Sequence, residues 1–166
     1  MLWKENHVAH SKSMIPLADD NPTRSTPVIT YALIASCIAV FLWQFSLGPN
    51  VKVAIYALGV IPASLLQGAM LPPELRWVSP EMTVITSMFL HGGFMHLIGN
   101  MLYLWVFGDN IEDILGKPVF IIFYVVCGIV AALSQALPDP SSTIPMIGAS
   151  GAISGILGAY MVFFPK

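Results

Sequence analysis

Charged residues are scarce in this chain. Only 10% of its 166 residues are charged, whereas 56% are hydrophobic and the mean hydropathy is +0.76. A soluble globular domain usually carries about 25% charged residues, so the composition excludes an ordinary soluble domain. The net charge of −2 argues against a nucleic-acid partner. We predict an all-α, polytopic transmembrane helical bundle that lies in a lipid bilayer.

Cysteines are few, and the first 26 residues are not expected to form a cleavable signal peptide. Cys37 and Cys127 both lie in apolar runs, which is typical of small buried hydrophobes and does not indicate a disulfide framework. No apolar segment of the signal-peptide type follows Lys4, so the first residues do not form a cleavable signal. Residues 1–26 are predicted to form a cytosolic tail, whose true start is either Met1 or Met14.

Charge is absent from four long windows, each able to hold the roughly 20 apolar residues that cross a bilayer. A transmembrane domain, residues 27–166, therefore follows the tail, with predicted spans over residues 28–47, 94–111, 119–137 and 149–164. Between the first two spans, residues 53–66 are apolar but broken by glycine and proline, which predicts a structured loop in the outer interface. Five Lys or Arg residues fall on the side of the N-terminus and two on the other, which favours a cytoplasmic N-terminus.

Polar side chains interrupt the second span. His96 and Asn100 are four residues apart, so they share one helix face and lie about 6 Å apart along its axis. Both are costly in hydrocarbon and are expected to face protein or water. Taken alone, the pair is more typical of a hydrogen-bonded clamp between helices than of catalysis. His91 precedes them across Gly92-Gly93, off that face, and is expected to hydrogen-bond a loop.

A serine opens the last apolar run. Ser150, within Gly-Ala-Ser-Gly at residues 148–151, follows a Pro/Ser-rich loop at the position where a helix should begin. Backbone N–H groups in a first helical turn lack helical acceptors and favour an anion, as the oxyanion of an acyl-transfer intermediate requires. The alternative is ordinary helix packing, because Gly151 and Gly155 form a small-residue pair four apart. For the Gly-x-Ser-Gly motif alone, packing is the commoner outcome.

The two motifs occur in one chain and fall toward the same, outer side on the predicted topology. In this combination the sequence resembles the rhomboid intramembrane serine proteases. The resemblance rests on residues 15–22, on His-x-x-x-x-His-x-x-x-Asn at residues 91–100, on residues 108–112, and on Gly-x-Ser-Gly. It covers nearly the whole chain. It implies a bacterial type in the inner membrane, with its site toward the outer face.

The resemblance implies hydrolysis of a peptide bond in or near the transmembrane helix of a protein substrate, without a metal or an organic cofactor. Ser150 would be the nucleophile. His96 and Asn100 would donate hydrogen bonds to the oxyanion, together with the backbone N–H of Ser150. His91 would support the loop around the site, and Gly148 and Gly151 would belong to the motif that shapes the site.

The rhomboid pattern has six spans, and its general base is a histidine on the sixth. This chain reads through the fourth predicted span to Lys166, and its four histidines include no counterpart. A serine hydroxyl is a weak nucleophile without an adjacent base, so we expect this length of chain alone to be inactive. We interpret it as part of a longer protease. The alternative is a non-catalytic rhomboid-like protein that binds transmembrane helices; a transporter is less well supported, since no inverted second half is found.

Overall fold

The computed structural model describes residues 25–165, and this part of the chain is an all-α transmembrane helical bundle without a β-strand. Its α-helices are α1 (Val28–Ser46), α2 (Val51–Leu58), α3 (Pro62–Gln67), α4 (Pro80–Thr86), α5 (Phe94–Leu115), α6 (Lys117–Ala136) and α7 (Ser150–Phe163). A 3₁₀ turn, Ser87–Phe89, continues α4. Of the predicted tail, residues 1–24 lie outside the described residues.

Proline and glycine mark several helix boundaries. Pro27 occupies the N-cap of α1. Pro62, Pro80 and Pro118 lie in the first turns of their helices, where the missing N–H costs no helical hydrogen bond. Gly116 joins α5 to α6 with a φ of 74°, a left-handed backbone that favours glycine. These residues therefore mark the starts of α1, α3, α4 and α6 and the end of α5.

Within residues 25–165, α1 and α6 are each long and apolar enough to cross a membrane. The segment Pro80–Phe89 and α5 pass the same test together, but they are bent by 81° relative to one another, so they form a broken span or a re-entrant segment. α7 is apolar and has 14 residues. The helix of the predicted second span continues past residue 111 to Leu115, and the helix of the predicted fourth span ends at Phe163.

The core lies where α1, α6 and α7 meet α5. α7 packs against both α5 and α6, and α1 packs against α5. The side chains buried between these helices are large and apolar, and each is at most 2% exposed: Leu104, Ile111, Phe120, Tyr124 and Ile156. In a bilayer, close van der Waals packing of such side chains, rather than their removal from water, helps to hold the helices in fixed relative positions.

A buried carboxylate binds the start of α1. Glu112, which is 1% exposed, accepts hydrogen bonds from the Ile29 N–H at 3.0 Å, the Thr30 N–H at 2.7 Å and the Thr30 hydroxyl at 2.8 Å. N–H groups in a first turn lack helical acceptors, and the carboxylate supplies one. The Ser25 N–H and hydroxyl donate to Asp113 at 2.9 and 2.6 Å. The start of α1 is thereby joined to the end of α5, beside the α5–α6 turn.

The loop between α1 and α4 contains two short helices, α2 and α3, and is joined to the loop between α6 and α7. An antiparallel bridge pairs Val60 with Met146: the Val60 N–H donates to the Met146 carbonyl at 3.0 Å, and the Met146 N–H donates back at 2.8 Å. The Ala63 N–H donates to the Ser142 carbonyl at 3.0 Å. These bonds lie at the end of the bundle opposite to Glu112.

Candidate active site

Ser150 is the first residue of α7, as the sequence predicts. Its side chain is exposed among the described residues. Its backbone N–H belongs to the first helical turn, which has no helical acceptor for it. Gly148, two residues earlier, has a φ of 123°, and its N–H donates to the Ser87 carbonyl at 2.9 Å. The Ser150 hydroxyl therefore lies at the N-terminus of α7, and the turn at Gly148 fixes the backbone that leads into this helix.

Gly148 also lies between Ser150 and His96. A Cβ atom built on Gly148 would lie 2.7 Å from both the Cε1 and the Nε2 of His96, and 3.7 Å from the Ser150 Oγ. The imidazole and the hydroxyl therefore border the same small space, and their separation cannot exceed the sum of those two distances. Carbon atoms in contact are normally about 3.5–4.0 Å apart, so any larger residue at position 148 would collide with the imidazole.

A hydrogen bond assigns the proton of His96. The Gly92 N–H donates to the His96 Nδ1 at 3.3 Å. A neutral imidazole carries its proton on one nitrogen and accepts with the other, so an accepting Nδ1 puts the proton on Nε2. The Nε2–H therefore faces the space beside Gly148 and Ser150 as a hydrogen-bond donor.

Asn100 lies one turn after His96, on the same face of α5. It is 8% exposed, and its Nδ2 has no hydrogen-bond partner among residues 25–165. A buried donor without a partner costs about 1–3 kcal/mol, so this amide is available to an incoming acceptor. The structure thus brings His96, Gly148 and Ser150 together, with an amide donor one turn along from His96.

His91 lies in the break between α4 and α5, before the helix that carries His96. It is 1% exposed, and its ring packs edge-on against that of His96 with centroids 5.1 Å apart. Its Nδ1 lies 3.2 Å from the Phe89 carbonyl oxygen, and its Nε2 has no partner in the described part of the chain. These contacts connect the backbone at the helix break to the His96 ring.

A small cavity adjoins Ser150. It has a volume of about 50 Å³, and its lining includes Ser150, Gly148 and Gly151 together with the polar residues Ser87 and Gln135. A polar cavity of this size has room for a water molecule. Within the described ranges, no three or more His, Cys, Asp or Glu side chains are grouped so that they could hold a metal ion.

Comparison with protein families establishes the relationship. The family model of the Rhomboid domain matches residues 79–166, which is more than half of the chain and includes Ser150, His96, Asn100 and His91. The chain belongs to the rhomboid family. The match begins just before α4 and therefore includes the bent segment and the two helices that meet at the site.

Rhomboid relatives from yeast and bacteria show how far the similarity extends. Rhomboid protein 1, mitochondrial, of Saccharomyces cerevisiae is 33% identical over 122 residues, which are 70% of this chain and 35% of the yeast protein. The putative rhomboid protease YdcA of Bacillus subtilis is 36% identical over 78 residues, or 47% of this chain and 39% of YdcA. Rhomboid protease GluP of the same bacterium is 33% identical over 137 residues, or 81% of this chain and 24% of GluP. The chain therefore spans well under half the length of these relatives.

One contact of the candidate site comes from a residue outside the Rhomboid-domain match. Gln44 in α1 is 2% exposed; its Oε1 accepts from the His91 N–H at 3.0 Å, and its Nε2 donates to the His91 carbonyl at 3.2 Å. Gln44 was not among the predicted site residues. The signal was nevertheless present, because an amide inside an otherwise apolar span needs a polar partner.

Two faces of the helix α7 differ in their surroundings: one packs against α6, and the other is exposed. A Cβ on Gly151 would lie 2.4 Å from the Ala131 Cβ, and one on Gly155 would lie 2.4 Å from the Cys127 Sγ, so the glycines allow close packing against α6. Ser150 and Ser154 are exposed. The two alternatives for the Gly-x-Ser-Gly motif are therefore compatible: its glycine packs, and its serine stays open.

Proposed function

We propose that this chain carries the nucleophile and the oxyanion site of a rhomboid-type serine endopeptidase, which cleaves peptide bonds in or near the transmembrane helices of its substrates. The observation that carries the proposal is the space at Gly148, bordered by the Ser150 Oγ and by the Nε2–H of His96. A nucleophile beside a hydrogen-bond donor at a helix N-terminus is the arrangement that acyl transfer needs. The names of the relatives GluP and YdcA, both called proteases, support it.

In this mechanism, the Ser150 hydroxyl attacks the carbonyl carbon of the scissile bond. Negative charge develops on the carbonyl oxygen, and the His96 Nε2–H, the Asn100 Nδ2 and the Ser150 backbone N–H donate hydrogen bonds to it. Loss of one such donor typically costs about 2.7–4 kcal/mol of transition-state stabilisation. The general base passes the hydroxyl proton to the departing amine, which leaves an ester on the Ser150 Oγ that water then hydrolyses. The cavity that adjoins Ser150 has room for that water.

The proton of the Ser150 hydroxyl needs a general base. His96 does not meet this need, because its Nε2 carries a proton while its Nδ1 accepts from Gly92. His91 is 1% exposed and is engaged with the backbone at the helix break. His7 and His10 lie outside the described residues. The base in this mechanism is therefore neither His91 nor His96, and we expect residues 1–166 alone to hydrolyse no peptide at a useful rate.

The proposed substrates follow from the membrane setting. The site lies at the end of the bundle opposite to the α5–α6 turn, so a cytoplasmic N-terminus directs it to the outer face of a bacterial inner membrane. A helical substrate must unwind before its carbonyl can reach Ser150. Residues that destabilise a helix, such as glycine and serine, are therefore expected near the outer end of the cleaved segment.

A fluorophosphonate probe tests Ser150 in the protein as its gene encodes it. We expect labelling that Ser150→Ala abolishes, because the probe reacts with an activated serine hydroxyl. Ser154→Ala is the matched control, since Ser154 is also exposed and lies one turn along α7. Labelling that survives Ser150→Ala would reject Ser150 as the nucleophile. Peptide hydrolysis by residues 1–166 alone, if abolished by Ser150→Ala, would show that no further base is needed.

A non-catalytic, helix-binding rhomboid-like protein is the second candidate. The lack of a suitable base at the site favours it. Residues 25–165 contain two histidines, His91 and His96, and neither is suited to act as the base. Such a protein would capture a transmembrane peptide equally well with Ser150→Ala and would not react with the probe in any form. Probe reaction that depends on Ser150 would exclude it.

A further inference from the structure

The loop between α1 and α4 encloses a cavity that the proposed reaction does not use. Its volume is about 510 Å³, within the range of roughly 300–1,000 Å³ that is usual for small-molecule sites. All the lining residues fall between Ala57 and Thr83, so Ser150, His96 and Asn100 contribute nothing to it. We call it the loop cavity. Its occupant is therefore not the reacting part of a substrate.

The walls of the loop cavity are mainly apolar. Ile61, Leu71, Leu75 and Val78 contribute to them, and Met70, which also lines the cavity, is 84% exposed, so the cavity opens to its surroundings there. The loop starts where the membrane-crossing helix α1 ends, and it exposes further large apolar side chains: Val53, Tyr56 and Leu66. Met82, in the first turn of α4, is exposed as well. A loop of this kind lies in the membrane interface. Acyl chains are the apolar molecules most concentrated around it.

A cation stands at the wall of the loop cavity. The Arg76 Nε donates to the Leu71 carbonyl, which holds the guanidinium beside the cavity and leaves its two terminal nitrogens for another acceptor. No carboxylate forms an ion pair with Arg76 among residues 25–165. Because a guanidinium binds phosphate through parallel N–H donors, this position suits the phosphate of a lipid headgroup.

Two other lining residues fit the polar end of a lipid. Trp77 is half-exposed, its indole N–H donates to the Glu74 carbonyl at 2.9 Å, and its ring lies 6.4 Å from that of Trp43 near the end of α1. Tryptophans gather at headgroup level in membrane proteins. Ser64 also lines the cavity, and the residue as a whole is 7% exposed. A serine hydroxyl can donate a hydrogen bond, and a lipid ester carbonyl would accept it.

We propose that the loop cavity binds an anionic phospholipid of the surrounding bilayer, with one acyl chain along the apolar walls and the headgroup phosphate at Arg76. The apolar walls suit an acyl chain, the hydroxyl and the indole suit the ester and headgroup region, and the cation suits the phosphate. The loop pairs through Val60 with Met146, two residues before Gly148. Binding therefore restrains a loop that is hydrogen-bonded to the segment leading to Ser150.

Photo-crosslinking in nanodiscs tests the proposal with the full chain. The probe is phosphatidylglycerol that carries a diazirine on one acyl chain, compared with phosphatidylcholine that carries the same group. We expect crosslinks concentrated in peptides from residues 57–83, with more from phosphatidylglycerol. Arg76→Gln should lower phosphatidylglycerol labelling about tenfold, because it removes a charge-assisted hydrogen bond to the phosphate in addition to the general attraction of a surface cation. The matched control is Lys52→Gln, because Lys52 is an exposed cation of the same loop that does not line the cavity.

A second substitution tests the apolar part of the site. Ser64→Phe places a large side chain at a residue that lines the cavity, so it should reduce labelling by both lipids. Val53→Phe, on an exposed position of α2 outside the cavity, should not. The unfolding temperature of each variant shows whether it is folded. If Ser64→Phe does not fold, Arg76→Gln and the headgroup comparison decide the outcome.

Crosslinks spread evenly over the transmembrane helices, without enrichment in residues 57–83, would overturn the proposal. So would equal losses in Arg76→Gln and Lys52→Gln. Labelling of the cavity by a photoreactive transmembrane peptide that phosphatidylglycerol cannot displace would assign the cavity to protein instead. Because the readout is lipid binding, an absence of peptidase activity would leave the proposal intact.

Discussion

The hydrogen bond from Gly92 decides what the imidazole of His96 can do. Because Nδ1 accepts this N–H at 3.3 Å, the neutral ring presents its Nε2–H toward Ser150 and acts as a donor. With the proton on Nδ1, the same ring would be a base that competes for the Ser150 proton. The proposed role of His96 therefore depends on the backbone at the helix break as much as on the side chain.

Gln44 holds that backbone in place. We expect Gln44→Met to destabilise the fold by about 1–3 kcal/mol, because it leaves the N–H and the carbonyl of buried His91 without partners. The free energy of unfolding in detergent micelles measures the effect. Gln67→Met is the matched control: Gln67 is exposed at the end of α3 and should change stability by less than about 0.5 kcal/mol. Equal effects of the two substitutions would contradict the structural role of Gln44.

At the scale of elements, the α6–α7 contact determines the position of Ser150. The glycines of α7 lie against Ala131 and Cys127 of α6, closer than any side chain would permit. Close approach of helices through small residues is a main source of affinity between helices in membranes. Ser150 begins α7, so the position of its hydroxyl follows from this contact together with the turn at Gly148.

Gly155→Ala tests this contact. A Cβ there would lie 2.4 Å from the Cys127 Sγ and 2.6 Å from its Cβ, so we expect a loss of about 1–3 kcal/mol in the free energy of unfolding from overpacking. Gly158→Ala is the matched control on the same helix, since nothing lies within 4 Å of its added Cβ. It should be neutral or slightly stabilising, because alanine favours a helix over glycine. A destabilisation by Gly158→Ala as large as that by Gly155→Ala would refute the packing argument.

Local patterns predict the helices, whereas contacts between distant helices depend on packing. Pro27 predicts the start of α1, and the small residues after the loop predict that α7 begins at Ser150. Gln44 and His91 are 47 residues apart, and Glu112 and Thr30 are 82 apart. Glu112 even lies beyond the predicted second span. Local sequence patterns do not predict such pairs, because the pairs form only when α1 packs against α5 and the helix break before it.

At the scale of the whole molecule, the two ends of the bundle differ. At one end, Glu112 and Asp113 bind the start of α1 beside the α5–α6 turn. At the other end, the loop between α1 and α4 joins the α6–α7 loop and approaches the site. Lys117 lies at the first end and Lys52 at the second, and both are exposed. The charge distribution predicts that the first end is cytoplasmic.

Cysteine labelling tests the orientation. In intact cells, a membrane-impermeant maleimide should label Lys52→Cys, whereas Lys117→Cys should react only after permeabilisation. The two lysines are matched in exposure, and the native Cys37 is buried and should stay unreactive. The unsubstituted chain gives the background from Cys127. The reverse labelling pattern would place the N-terminus and the α5–α6 turn outside.

The 81° bend between α4 and α5 leaves backbone groups that need hydrogen-bond partners other than those of a helix. Non-helical backbone at membrane depth persists only where protein covers it or water reaches it. Gln44 covers His91, but Gly92 at the bend is exposed among the described residues. A hydrated recess must therefore accompany the bend, because lipid tails offer the backbone no hydrogen bonds. Such a recess would bring water, which amide hydrolysis consumes, into the apolar interior of the membrane.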